Sequence, residues 1–265
     1  MKIGGLQKFS LLDYPGKISA IIFTKGCNFR CHYCYNPMLV EPKGGRVLTR
    51  RQGKVVYSSP DPAEPEELSS DNAGKGEGQE GHPLKEGDLF VFLKKRIGKL
   101  DAVVITGGEP TIQPDLPEFL AKIKELGFLI KLDTNGSSPE MLKKILDKNL
   151  ADYIAMDLKT SLPAYEKACG VKFDLEKLKK SIKMIKESSL PREWRTTLVP
   201  GIVEADDISA LGKLIKGESV WYLQGFKSQT PLVNNEFQGK NGYSAIDMEK
   251  MRKIALGYVK KCEIR

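Results

Sequence analysis

The sequence predicts an α/β fold in which short buried strands alternate with amphipathic helices. Six short apolar segments recur along the chain, and stretches with apolar residues three or four positions apart lie between them. Glycine or polar residues follow the apolar segments, as expected where strands end in turns. Repeated strand–helix units with right-handed crossovers form either an open barrel or a doubly wound sheet.

The predicted strands occupy residues 18–23, 102–106, 129–133, 153–156, 194–199 and 220–224. Most of them are predicted to be buried on both sides, which is typical of parallel strands covered by helices. Each predicted helix carries an apolar stripe on one face. The stripes are Leu116, Phe119, Leu120 and Ile123; Met141, Leu142, Ile145 and Leu146; Leu175, Leu178, Ile182 and Ile185; Ile208, Leu211, Leu214 and Ile215; and Met248, Met251, Ile254, Ala255 and Tyr258.

Segments with unusual composition follow the predicted strands. They are residues 27–34, 107–110, 134–136, 157–159, 200–201 and 225–226. In both open barrels and doubly wound sheets, ligands bind at the carboxyl ends of the strands. The sequence therefore predicts one functional site, formed by the loops at this edge of the sheet.

One long segment interrupts the alternation of strands and helices. From about residue 43 to about residue 86 the chain is rich in Gly, Pro, Ser and Glu and lacks sustained helical periodicity. We predict a flexible insertion there, in which residues 46–57 can form a short hairpin. The chain is otherwise expected to form a single domain spanning residues 1–265.

Composition limits the classes of function. The net charge is +8, but the lysines are spread over predicted helix faces and mixed with glutamates, so a nucleic-acid partner is not expected. No stretch approaches the roughly 18 apolar residues of a membrane span, and the first residues lack the apolar core of a signal peptide. We therefore expect a cytoplasmic protein without membrane contact. Five cysteines, three of them clustered, argue against a disulfide framework, and Cys169 and Cys262 are expected to pack as small apolar residues.

Three cysteines within eight residues are the strongest functional signal. Cys27, Cys31 and Cys34 follow the first predicted strand with the spacing C-x3-C-x2-C. Three thiolates can bind three irons of a [4Fe–4S] cluster and leave the fourth iron open to another ligand. A zinc site completed by His32 is the alternative, although zinc sites favour two C-x2-C pairs.

The cysteine motif, with Tyr33 before its last cysteine and Gly-Gly-Glu-Pro at 107–110, resembles the radical S-adenosylmethionine (SAM) superfamily. Further motifs resemble one branch, the glycyl-radical activating enzymes, and in particular the activating protein of anaerobic ribonucleoside-triphosphate reductase. They are Ser-Leu-Leu-Asp-Tyr-Pro-Gly-Lys at 10–17, Asn-Pro at 36–37, Asp-Thr-Asn-Gly at 133–136, Asp-Leu-Lys at 157–159 and Arg-Thr-Thr-Leu-Val-Pro-Gly at 195–201. The resemblance covers nearly the whole chain outside the predicted insertion. It implies an incomplete (β/α)6 TIM-like barrel.

The resemblance implies radical chemistry. A low-potential [4Fe–4S] cluster donates an electron to SAM, whose methionyl amine and carboxylate bind the open iron. Cleavage of the sulfonium then gives a 5′-deoxyadenosyl radical, which abstracts hydrogen from its target. The branch implies a glycyl-radical enzyme as partner, in particular anaerobic ribonucleotide reductase, and flavodoxin or ferredoxin as the reductant.

The resemblance also implies roles for residues at the strand ends. Gly107, Gly108 and Glu109 are expected on the side of the methionyl amine, where small residues let the backbone approach the ligand. Asp157 and Lys159 alternate along a strand end, so both side chains can project to one face. Lys159 is expected to neutralise the SAM carboxylate, and Asp157 to accept a hydrogen bond from the ribose or the amine. The other candidate SAM contacts are Tyr33 and Asn135.

Two positions depart from the branch. The family often has His-Asn-Pro after the last cysteine, where this chain has Tyr35 before Asn36 and Pro37. The related pyruvate formate-lyase activases have a histidine beyond the last strand, and residues 223–227 of this chain contain none. The second departure disfavours pyruvate formate-lyase as the partner.

Two alternative functions stay open at this point. The first is a radical SAM enzyme that acts on RNA or a small molecule, although no additional substrate domain is predicted. The second is a non-enzymatic iron–sulfur carrier or zinc module. Such a module would have no use for Asp157, Lys159 or the residues at 107–110.

Overall fold

The computed structural model describes residues 1–40, 47–51, 54–58, 84–229 and 231–265. The strands in these ranges are β1 (Ile3–Ser10), β2 (Ser19–Thr24), β3 (Val47–Arg51), β4 (Lys54–Ser58), β5 (Ala102–Gly107), β6 (Leu129–Thr134), β7 (Tyr153–Asp157), β8 (Arg192–Leu198), β9 (Val220–Gly225) and β10 (Lys261–Ile264). The α-helices are α1 (Pro37–Val40), α2 (Glu86–Lys94), α3 (Leu116–Glu125), α4 (Pro139–Asp147), α5 (Tyr165–Cys169), α6 (Leu175–Glu187), α7 (Ala205–Leu214) and α8 (Ala245–Leu256). None of these helices is both long enough and apolar enough to cross a lipid bilayer.

Eight strands form one sheet in the order β1-β2-β5-β6-β7-β8-β9-β10. β1 is antiparallel to β2, and every other neighbouring pair in this sheet is parallel. The parallel strands follow one another in chain order, without the reversal of strand order that defines a doubly wound sheet. β1 and β10 lie at opposite edges, so the arrangement is an open barrel. The predicted α/β fold and incomplete TIM-like barrel are confirmed.

The six predicted strands appear as β2 and β5 to β9, each within two residues of its predicted bounds. The prediction missed β1 and β10. Only Ile3 and Ser10 are buried in β1, and only Cys262 in β10, so neither strand has the apolar pattern that predicts one. The expected hairpin at 46–57 is present as the antiparallel pair β3 and β4. The rest of the predicted insertion, up to residue 83, lies outside the described residues.

The two faces of the main sheet differ in polarity. Side chains on the outward face, such as Ile22 and Trp194, join the helices in the large hydrophobic core. The inward face is apolar at β2 and β5, where Ile21 and Val104 pack with Tyr14. Lys131, Asp133 and Glu193 are buried, as predicted for strands buried on both sides, but the inward positions of β6 and β8 carry charged rather than apolar side chains. The reason is that this part of the inward face forms the wall of the candidate site.

A buried ion pair occupies the inward face near the starts of β6 and β8. Lys131 Nζ lies 2.8 Å from Glu193 Oε1, and the two side chains are 2% and 0% exposed. The same Nζ donates a hydrogen bond to the Asp13 carbonyl (2.6 Å), and the Tyr153 hydroxyl donates to Glu193 Oε2 (3.2 Å). The pair therefore ties the loop that follows β1 to the inside of the sheet.

Lys131→Met is expected to lower the free energy of unfolding by about 3 kcal/mol, because it leaves Glu193 buried without its closest cation. Urea unfolding followed by circular dichroism measures the change. Combining Lys131→Met with Glu193→Gln should cost at least about 1 kcal/mol less than the sum of the two single changes. Strictly additive effects would contradict the coupling between the two side chains.

Candidate functional site

A cavity of about 360 Å³ opens at the carboxyl ends of the parallel strands. Its volume falls within the range of small-molecule sites in proteins. All ten residues that sequence analysis assigned to a cluster or to SAM line this one cavity. They are Cys27, Cys31, Tyr33, Cys34, Gly107, Gly108, Glu109, Asn135, Asp157 and Lys159.

Backbone hydrogen bonds fix the start of the cysteine loop, residues 26–36, against α1. The Gly26 amide donates to the Leu39 carbonyl (2.7 Å), and the Cys27 amide donates to the Val40 carbonyl (3.0 Å). The thiols of all three clustered cysteines are free and line the cavity. Within the described ranges, no three His, Cys, Asp or Glu side chains converge on a position for a single metal ion. The three thiols thus face a shared cavity rather than one point.

Burial controls the protonation of the two amino-terminal thiols. It raises the pKa of Cys27 to about 11 and the pKa of Cys31 to about 12. The thiolate, not the thiol, is the form that binds a metal. A metal bound by these sulfurs compensates the thiolate charge, so metal binding and loss of the thiol protons are coupled.

Gly107 and Gly108 allow two backbone segments to approach each other closely. A Cβ on Gly108 would lie 2.1 Å from the carbonyl oxygen of Gly26, and a Cβ on Gly107 would lie 2.3 Å from the amide nitrogen of Thr24. Gly107 also has a φ of +115°, a conformation that favours glycine. The close approach that requires glycine here is with the cysteine loop and the end of β2. Sequence analysis anticipated only an approach to the ligand.

The Glu109 carboxylate is 1% exposed and connects the turn after β5 to the end of β6. Oε1 accepts hydrogen bonds from the Thr111 amide (3.0 Å) and hydroxyl (2.5 Å) and from the Thr134 hydroxyl (2.8 Å). Oε2 accepts one from the Asn135 amide (2.7 Å). Burial raises the pKa of Glu109, and these hydrogen bonds oppose that effect. Oε2 keeps capacity to accept from a further donor.

Asn135 connects the turn after β6 to the cysteine loop. Its Nδ2 donates to Asn28 Oδ1 (3.1 Å), and its Oδ1 accepts from the Ser137 amide (2.9 Å). The Asn28 side chain in turn donates to the Ser137 hydroxyl (2.9 Å). Asn135 is therefore engaged with protein groups that position the cysteine loop.

Four charged side chains alternate in sign along the cavity wall. Lys159 Nζ donates to Asp157 Oδ2 (3.1 Å), and Arg195 bridges Asp157 Oδ1 and Asp133 Oδ2 with two hydrogen bonds of 2.8 Å. Burial would raise the pKa of Asp157, but Arg195 and then Lys159 lower it well below its ordinary value. Burial would lower the pKa of Lys159, but Asp157 raises it well above its ordinary value. Both groups are therefore charged at neutral pH.

Two buried polar atoms on the cavity wall suit a polar ligand. The Tyr33 hydroxyl and Oδ1 of Asp133 have no hydrogen-bond partner among the described residues. A buried polar group without a partner costs about 1–3 kcal/mol, so a bound donor or acceptor would be stabilised there. SAM offers an amine, a carboxylate and ribose hydroxyls, and Lys159 offers the matching cation for the carboxylate. The residues present fit a [4Fe–4S] cluster with SAM.

Sequence analysis assigned no role to several further polar residues that line the cavity. They include Asp13, Arg195, Thr197 and Gln224. Arg195 and Thr197 occupy alternate positions on β8, so both project to the inward face. The signal that could have identified them is a charged or polar residue at every second position of an otherwise buried strand.

Tyr35 occupies the position where the family often has histidine. Its ring stacks on Phe226 with a centroid distance of 6.3 Å, and its hydroxyl accepts a hydrogen bond from the Lys227 amide (2.9 Å). Tyr35 thereby holds the segment after β9 against the cysteine loop. His32, considered above as a zinc ligand, stacks on Phe237 at 5.9 Å and is not among the residues that line the cavity.

Comparison with known proteins identifies related chains. Residues 21–213 match the family model described as the Radical SAM superfamily. A Methanocaldococcus jannaschii protein, named provisionally as a glycyl-radical enzyme activating enzyme, is 30% identical over 268 residues, which cover 99% of this chain and 95% of that protein. The pyruvate formate-lyase-activating enzyme of Streptococcus mutans is 25% identical over 221 residues, which cover 81% of this chain and 72% of that enzyme. The crystal structure of Streptococcus suis SuiB bound to its precursor peptide SuiA is alike in fold, with a TM-score of 0.57 and 15% identity over 92% of this chain and 47% of that one.

Gly108→Ala is expected to weaken assembly of the iron–sulfur cluster, because the new Cβ overlaps the Gly26 carbonyl and displaces the cysteine loop at a cost of about 1–3 kcal/mol. Iron and sulfide content after anaerobic reconstitution measures the effect. Gly87→Ala is the matched control, since a Cβ on this helical glycine meets nothing within 4 Å. Equal cluster content in the two variants would contradict the role of Gly108.

Proposed function

Because the chain belongs to the radical SAM superfamily, whose members are enzymes that use a [4Fe–4S] cluster and SAM, we propose that it generates a glycyl radical on a partner enzyme. The observation that carries this proposal is the convergence of three cysteine thiols, the Glu109 turn and the Asp157–Lys159 pair in one cavity. Likeness along 99% of the chain to a relative named as a glycyl-radical enzyme activating enzyme supports the reaction class.

The cysteine loop would hold the metal cofactor. Cys27, Cys31 and Cys34 each supply one thiolate, and three thiolates leave one iron of a [4Fe–4S] cluster without a protein ligand. When both are bound, the cluster and SAM supply one-electron cleavage of the sulfonium and a 5′-deoxyadenosyl radical. The protein contributes orientation and an environment that separates this chemistry from water.

Charged and polar side chains on the cavity wall would orient SAM. Lys159, held cationic by Asp157, neutralises the carboxylate of the methionyl group. Glu109 Oε2 accepts from the methionyl amine, with Gly107 and Gly108 beside it on the same wall. Asp157 uses two hydrogen bonds within the protein and retains lone pairs for a ribose hydroxyl.

Two residues, Tyr33 and Asn135, would act at the edges of this site. The Tyr33 hydroxyl is buried without a protein partner within the described ranges and donates to SAM. Asn135 faces the cavity and keeps the cysteine loop in position through Asn28. These contacts fix both ends of the cofactor relative to the thiols, so that the reacting groups are held close together.

The partner proposed here is an anaerobic ribonucleoside-triphosphate reductase, and the reductant is flavodoxin or ferredoxin. Motifs at 10–17, 133–136 and 195–201 support this partner over other glycyl-radical enzymes. The segment after β9 also lacks the histidine of pyruvate formate-lyase activases, and Gln224 lines the cavity near that point. A substrate protein reaches the site through the open rim at the carboxyl ends of the strands.

Reconstituted protein supplied with SAM and dithionite under anaerobic conditions is expected to release methionine and 5′-deoxyadenosine, which chromatography quantifies. Cys31→Ala should abolish both products, because it removes one of only three thiolate ligands. Cys262→Ala is the matched control, since Cys262 is buried in β10 and does not line the cavity. A full four-iron cluster and unchanged product formation in Cys31→Ala would overturn the ligand assignment.

Incubation with SAM, reductant and an anaerobic ribonucleoside-triphosphate reductase should produce the electron paramagnetic resonance signal of a glycyl radical on the reductase. Replacing the radical-bearing glycine of the reductase by alanine should remove the signal. Pyruvate formate-lyase in the same assay is expected to give none. SAM cleavage without a radical on the reductase would favour an enzyme that acts on RNA or a small molecule.

A further inference from the structure

A second concave surface lies beside the cysteine loop, outside the SAM cavity. This surface, the Lys25 groove, has a volume of about 600 Å³. Lys2, Lys25, Arg30, Ile112, Pro114 and Cys27 form most of its lining. Among the described residues, Cys27 is the only one that lines both the groove and the SAM cavity. Cys27, a proposed cluster ligand, therefore lies between the groove and the SAM cavity.

The Lys25 groove is basic. Lys2 is exposed, Lys25 is half-buried, and neither forms an ion pair with a carboxylate in the part of the chain that the structure describes. Of the described lining residues, Asp115 is the one with a carboxylate, and it pairs with the N-terminal amine at 2.5 Å. The positive charges of Lys2 and Lys25 are therefore not neutralised by Asp115, and they would attract an acidic surface.

The floor of the groove is fixed by hydrogen bonds. Gln113, which is 6% exposed, donates from Nε2 to the Lys25 carbonyl (2.7 Å). The Lys25 amide donates to the Lys2 carbonyl (2.9 Å), so the two lysines lie on joined backbone segments. The basic side chains thus emerge from a fixed backbone, which lowers the entropy lost when a partner binds.

Arg30 connects the groove to the cluster ligand. Its Nη1 donates to the carbonyl oxygens of Cys27 (2.7 Å) and Phe29 (2.9 Å). The exposed apolar residues Ile112 and Pro114 lie on the same surface. The groove thus combines basic and apolar groups, and Cys27 connects it to the proposed cluster. This combination suits a transient protein partner more than a small ion.

We propose that the Lys25 groove docks an acidic electron-carrier protein, which reduces the cluster through Cys27. This inference rests on the proposed function, because each cleavage of SAM consumes one electron that the protein itself does not supply. In the step, the reduced carrier loses one electron and the cluster gains it, with no bond made or broken. Among the described lining residues the groove and the SAM cavity share only Cys27, so a carrier in the groove would not occupy the cavity proposed for SAM.

The test uses the holoenzyme, reduced flavodoxin as an acidic probe, and the double variant Lys2→Glu/Lys25→Glu. Stopped-flow absorbance measures the rate at which flavodoxin reduces the cluster. Reversal of two charges should slow this reaction about tenfold or more at low ionic strength. The difference should shrink at about 1 M salt, where the Debye length falls to about 3 Å. Lys213→Glu/Lys216→Glu is the control, because it makes the same charge change on and beside α7.

Two further measurements distinguish a failure of the docking proposal from a failure of the proposed function. Dithionite-driven SAM cleavage should be equal in wild type and the groove variant, and its absence in wild type would refute the proposed function. Binding of flavodoxin to the cluster-free protein, measured by calorimetry, should weaken about tenfold in the groove variant only. Unchanged binding and reduction in the groove variant, or equal loss in the control variant, would overturn the docking proposal. Tight binding of single-stranded RNA that the groove variant loses would assign the surface to nucleic acid instead.

Discussion

The hydrogen bonds of Glu109 are the interaction on which the candidate site depends. Its carboxylate accepts from Thr111 beside it and from Thr134 and Asn135 at the end of β6. Its amide donates to the Gly26 carbonyl at 2.8 Å, so the same residue also contacts the cysteine loop. One buried residue thus joins three segments that lie far apart in sequence. Displacement of the end of β6 would remove two of the four hydrogen bonds to this buried carboxylate, and the cost of that opposes movement.

Alternation of charge explains how β6, β7 and β8 tolerate so many ionisable groups on their inward faces. Arg195 lies between Asp133 and Asp157, and Lys159 completes the series at the rim. Removal of an inner member would take one ion-pair partner from each of its two neighbours inside the barrel wall, which is more costly than loss of a surface ion pair. The series also keeps Lys159 cationic at the position where a carboxylate would bind. In the proposed site, stability of the barrel wall and binding of SAM would therefore depend on the same side chains.

Most of the sheet and the principal site residues could be predicted from the sequence, because each leaves a local signal. The six strands are apolar runs, and the cysteines have a spacing that few metal sites share. Roles for Arg195 and Gln224 could not be assigned this way, since polar residues on a buried strand mark a polar face but do not reveal what that face contacts. The requirement for Gly108 was also hidden, because it arises from the backbone of Gly26, more than eighty positions away. Edge strands such as β1 were missed because an edge strand that is largely exposed has no apolar period.

The cysteines of the cysteine loop differ in burial and in the surfaces that they border. Cys31 is buried, with 7% of its surface exposed, whereas Cys27 is half-buried and also borders the basic Lys25 groove. An electron can cross a thiolate ligand, whereas a carbon radical must be kept from solvent until it abstracts hydrogen from its target. A loop in which all three cysteines line the cavity and Cys27 alone of the three also borders the Lys25 groove would meet both requirements. The spacing of three residues between Cys27 and Cys31 accommodates this separation, since it includes Arg30, which contacts the groove, and Phe29, which packs into the core.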